Sequence, residues 1–77
     1  MLKFIEKKNG TPLPEVFKTK GFRSFADMAA FADTYNLPDG EYYIKNDKND
    51  KGGNLLTHLR EVKRRGSQFW VEGRGYI

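Results

Sequence analysis

The sequence predicts an α+β domain: an antiparallel sheet of about four or five short strands, with one main helix over residues 24–36 packed on one face. Three observations lead there. Residues 24–37, SFADMAAFADTYNL, combine a helix start, an apolar repeat of helical spacing and a stop. Short runs on either side alternate apolar and polar residues, the mark of strands with one buried face. The chain has 77 residues, enough for one small domain in which every large apolar side chain counts.

Leu2 to Lys8 opens the chain with Leu2 and Phe4 set against Lys3, then Ile5 against Glu6, which suits a short strand. Asn9-Gly10 is a strong turn signal, but Pro12 and Pro14 forbid ladder pairing straight after it. A loop of several residues is therefore predicted, followed by an edge strand over residues 15–20 with Val16 inward and Lys18 and Lys20 outward. In the helix, Ser24 is placed to cap the amide of Asp27, and Phe25, Met28, Ala29, Ala32 and Tyr35 fall on one face, widened by Phe31. Asn36 tolerates the left-handed conformation, Leu37 can fold back on the last turn, and Pro38 cannot continue the helix.

Pro38-Asp39-Gly40 reads as a turn, and residues 41–45, EYYIK, as a strand with Tyr42 and Ile44 on one side and Tyr43 and Lys45 on the other. Residues 46–54, NDKNDKGGN, lack apolar side chains and read as an exposed loop. Residues 55–64 admit two readings, strand or second helix. Leu55, Leu56, Leu59 and Val62 have helical spacing, whereas Arg64-Arg65-Gly66-Ser67 sits where a hairpin would join this segment to residues 68–72, with Val62 facing Phe69. The hairpin is favoured because Phe69-Trp70-Val71 needs an antiparallel neighbour. The tail GRGYI is loop-like in composition but ends in two residues that favour burial.

The net charge is +4 and it is unevenly spread. Residues 1–23 carry six Lys/Arg against two acids, residues 24–53 three against six, and residues 54–77 five against two. If the two ends share a sheet, the molecule has a basic side and an acidic side. With no cysteine, neither a disulfide framework nor a thiolate metal site is available, which fits a reducing compartment. The N-terminal run MLKFIEKKNG carries too much charge for a secretory signal or a membrane span, so a soluble cytoplasmic protein is expected.

Catalysis is not expected, and no cofactor or metal is called for. The single histidine, His58, has no cysteine or spaced carboxylate pair to work with. Asp47 to Gly52 begins like a calcium loop but places Lys51 at the fifth ligand position and His58 where a bidentate Glu is required. What stands out is aromatic and basic. Tyr43 and Trp70 are predicted to share a sheet face with Lys45 and Lys63, with Arg60, Arg64, Arg65 and Arg74 near its rim. Bases stack on flat rings while cations release counterions from phosphates, so this set predicts a small basic nucleic-acid-binding module. The same residue types anchor protein interfaces. The alternative is a small protein-binding inhibitor or adaptor, of the kind phages or mobile elements use to disable a host or defence protein.

Overall fold

The computed structural model describes residues 1–46 and 59–77. Among them the chain forms β1 (Leu2–Ile5), α1 (Glu15–Lys18), β2 (Gly21–Phe22), α2 (Phe25–Thr34), β3 (Gly40–Asn46), β4 (Arg60–Arg65), β5 (Gln68–Val71) and β6 (Gly75–Tyr76). The six strands make one antiparallel sheet in the order β2-β1-β3-β4-β5-β6, and both helices pack on the same face of it. The α+β expectation holds, with six strands in place of four or five: the pairs Gly21-Phe22 and Gly75-Tyr76 are too short to show a period, yet each extends an edge of the sheet.

The covered face follows from strand alternation. Leu2 and Phe4 of β1, Tyr42 and Ile44 of β3, Val62 of β4, and Phe69 and Val71 of β5 all point to the helices and are buried. Phe4 is the hub: its ring meets Phe17, Phe22, Tyr42 and Phe69 edge to face, with centres 5.4 to 6.3 Å apart. Tyr42 is fully buried and donates its hydroxyl to the carbonyl of Pro38 at 2.7 Å, so the ring is enclosed without stranding a polar atom. Burial, with the nearby Asp39 charge, pushes the Tyr42 hydroxyl above the usual tyrosine value.

The main helix forms as its sequence predicts. Ser24 Oγ accepts from the Asp27 amide at 3.1 Å. At the other end Asn36 takes φ of 55°, and the Leu37 amide reaches back to the Ala32 carbonyl at 2.9 Å, closing the last turn while Leu37 itself is buried. Met28 and Ala32 press on the sheet, where the small alanine lets the helix lie close.

The predicted edge strand over residues 15–20 does not form. Residues 15–18 make a short helix entered from Pro14, with Phe17 fully buried and Val16 44% exposed. Val16, Lys18 and Lys20 would all share one face of a strand, so a strand could not bury the valine and expose both lysines; the short helix instead buries Phe17, whose phenyl ring offers more apolar area than a valine, between Phe4 and Phe31. The edge position falls instead to β2. Upstream, Asn9 (φ 63°) and the Gly10 amide, bonded to the Lys7 carbonyl at 2.9 Å, form the expected turn. Thr11 then leans on the start of β3, its Oγ1 accepting from the Glu41 amide at 3.2 Å. At Gly40 (φ 150°) the Thr11 side chain occupies the space a Cβ would need, so only glycine fits.

Residues 60–65 resolve as strand β4, which settles the described part of the 55–64 segment in favour of the hairpin. Gly66, at φ 61°, leads the two-residue turn to β5, and its amide donates to Asp39 Oδ1 at 2.9 Å. The register differs from the expected one: Val62 lies opposite Val71, and Phe69 opposite Arg64. Two turn residues between Arg65 and Gln68 impose that pairing. Residues 55–58, the loop after Asn46, the calcium-like stretch at Asp47 to Gly52 and His58 lie outside the described residues.

Candidate nucleic-acid interface

The sheet face turned away from the helices is built by the alternate residues of the same strands. One row across it reads Glu41, Lys63, Trp70, Tyr76; the next reads Ile5, Tyr43, Glu61; a third pairs Lys3 with Lys45; and Arg65 stands beside Gln68. Tyr43 and Trp70 are half-buried, with Lys63 exposed between them on the intervening strand. The two residues are two strands apart and offset by two positions along the strand, roughly 12 Å between backbone positions.

Trp70 is the centre of this face. The Lys63 ammonium stands 5.0 Å from its ring centre, held by their direct cross-strand pairing. Lys63, Arg65, Trp70 and Tyr76 together line a shallow cleft of about 300 Å³. Tyr43 carries a cation as well: Lys7 Nζ lies 5.5 Å from its ring centre. That ammonium also bonds Glu41 Oε1 and Glu61 Oε2, each at 2.6 Å. Its hydrogen bonds to Glu41 and Glu61 raise the Lys7 ammonium well above the ordinary lysine value, and the same bond and charge hold the Glu41 carboxyl below the ordinary carboxylate range. The carboxylates nearest Tyr43 are thus partly neutralised from within the face. Glu72, at the same end of β4, accepts from the Glu61 amide at 3.1 Å.

The eight residues singled out from the sequence divide into two groups. Tyr43, Lys45, Lys63, Arg65 and Trp70 share the open face. Arg60, Arg64 and Arg74 do not. Arg64 alternates inward with Val62, is 6% exposed, and reaches Asp33 of α2 at 3.2 Å, while its Nε has no hydrogen-bond partner. Arg60, opposite Ile44, also faces the helix side, and its guanidinium carbon lies 5.6 Å from the ring centre of Phe25. Arg74, in the turn before β6, approaches the same ring at 4.9 Å. The rim expected from a run of basic residues is split by strand alternation, which sends neighbours to opposite faces.

Tyr76 and Lys7 were missed. The signal for Tyr76 was present in Gly73 and Gly75, both at positive φ, which turn the tail back beside Trp70. Lys7 carried no local signal, since its partners lie 34 and 54 residues away.

Among the described residues no group of three His, Cys, Asp or Glu side chains is placed to hold a metal ion, and no helix is long and apolar enough to cross a membrane. No family model, curated protein or solved structure matches the chain.

Proposed function

We propose that this protein is a small, non-catalytic cytoplasmic module that binds single-stranded nucleic acid across the open face of its sheet. One observation carries the reading: Tyr43 and Trp70 share a face with Lys45, Lys63 and Arg65 that no described helix covers, while the opposite face is filled by the helices. Bases splayed from a single strand stack on separate rings, and cations between the rings track the phosphates. A duplex would not present its bases to such a flat surface. The carboxylates Glu41 and Glu61 do not oppose this strongly, because Lys7 is bonded to both.

Titration of Trp70 fluorescence with a short oligonucleotide tests it. Quenching is expected, and log K should fall with log salt at a slope of about −2, which corresponds to three phosphate contacts on a single strand. Trp70→Ala should weaken binding by about 1–3 kcal/mol, the usual value of one stacked base. No binding at low salt would end the proposal.

A protein partner is the second reading, favoured by Tyr76 (59% exposed) and Ile77 (47% exposed) at the β6 edge beside Trp70. Aromatic anchors of this kind serve inhibitors and adaptors. Recovery of a stoichiometric protein from a native pulldown, with no nucleic acid in the absorbance ratio, would decide for it.

A further inference from the structure

A second basic surface lies around the sheet's end, on the helix side. Phe25, the first residue of α2, is half-buried there, and Arg60 from the start of β4 and Arg74 from the β5-β6 turn both bring their guanidinium carbons within 6 Å of its ring centre. Arg23, Ser24, Lys45 and Asn46 line the same cleft, whose volume is about 720 Å³. Elements far apart in sequence therefore deliver like charges to one ring.

Among the described residues the ion pairs engage Lys7, Lys18 and Arg64, and none of Arg23, Arg60 and Arg74 has a carboxylate or other hydrogen-bond acceptor of the protein as partner. The ring orders two of the guanidinium groups without using their N–H donors, which leaves them available in the fork geometry that suits an oxyanion. Bringing cations together without compensation costs free energy, and a multiply charged anion bound between them recovers it.

We propose that this cleft binds a phosphomonoester group. A terminal phosphate carries about −1.5 to −2 charges and three acceptor oxygens, against one charge on the phosphodiester of an internal linkage, and so matches several converging guanidinium groups better. The source is either the end of a nucleic-acid strand or a small phosphorylated ligand. Lys45 joins the two surfaces, since it belongs to the open face and also lines the cleft. The strand-end version rests on the proposed function; the small-ligand version does not.

The test compares oligothymidylate of one length bearing a 5′-phosphate, a 3′-phosphate or hydroxyls only, alongside thymidine 5′-monophosphate, by calorimetric titration of the whole chain. One phosphorylated end is expected to tighten binding about tenfold, the usual value of a hydrogen-bonded charge pair. The Arg60→Gln/Arg74→Gln variant should erase that advantage, and Arg23→Gln should reduce it, with circular dichroism unchanged in both. Trp70→Ala should weaken all three oligonucleotides and leave their ratio intact. Arginine-dependent binding of the monophosphate with no oligonucleotide binding would support the cleft and overturn the sheet-face reading alone. Equal affinities for all three oligonucleotides with no monophosphate binding, or an advantage that survives in the folded double variant, would overturn the cleft.

Discussion

The two faces of the sheet are made by the same strands, yet they obey different physics. On the covered face Phe4, Tyr42, Val62, Phe69 and Val71 are each at most 2% exposed, and the Phe4 ring meets those of Tyr42 and Phe69 from neighbouring strands. On the open face Tyr43 and Trp70 remain half-buried, and what touches their rings is a lysine from within the same face. Lys63 and Arg64 make the contrast at its sharpest: adjacent in sequence, one lies exposed over Trp70 and the other is enclosed against Asp33. In a strand, chemical likeness between neighbours says nothing about shared function, because the backbone sends them to opposite environments.

The largest test of that contrast sets one aromatic against another. Phe4→Ala should cost about 3–5 kcal/mol in denaturant unfolding, a large share of the stability available to a domain of this size. Trp70→Ala should cost less than about 1 kcal/mol in stability while weakening the proposed binding by about 1–3 kcal/mol. Equal costs would mean that the open face is a second core.

A smaller effect is expected at Arg64. Its pairing with Asp33 is lopsided, the cation enclosed and the carboxylate 69% exposed, and one guanidinium nitrogen goes unpartnered. Replacement by a long apolar side chain, Arg64→Met, should leave stability within about 1 kcal/mol of the parent or raise it, because desolvation of the charge is then avoided. A loss of oligonucleotide affinity in that variant would place Arg64 in the interface after all.

The smallest effect is electrostatic and lies at the edge of the open face. Lys7 holds the Glu41 carboxyl below its ordinary value near 4.5, so the stabilisation it provides is present above that value and lost as pH falls through and below it. Lys7 itself is raised, so its contribution is complete below 10.5 and is lost only as pH climbs through its higher folded-state value. Glu41→Gln should lower thermal stability slightly at neutral pH and leave the acid end nearly unchanged, so that the acid limb becomes shallower. An unaltered acid limb would detach Lys7 from the face.

Much of this arrangement was legible in advance, and the failures have physical causes. Ser24, Asn36 and Leu37 marked the main helix because capping is local chemistry, settled within four or five residues. Tyr42 and Ile44, and likewise Phe69 and Val71, revealed the covered face because alternation needs only the strand itself. Val16 was misplaced because Phe17 gains its burial from Phe4 and Phe31, which are distant in sequence. Of the candidate site, Tyr43, Lys45, Lys63 and Trp70 were found together by the same alternation, whereas Arg60, Arg64, Arg65 and Arg74 were grouped with them on charge, and of those four only Arg65 lies on the open face.

By itself the amino-acid order determined the fold class, the limits of the main helix and which face of each strand is apolar, since these depend on periods and caps that a short stretch contains in full. Only the tertiary structure decided that Arg64 serves α2, that Arg60 and Arg74 meet at Phe25, and that Lys7 bridges Glu41 and Glu61. Each of those contacts joins residues at least 31 positions apart, so its partner exists only once strand order and register are set.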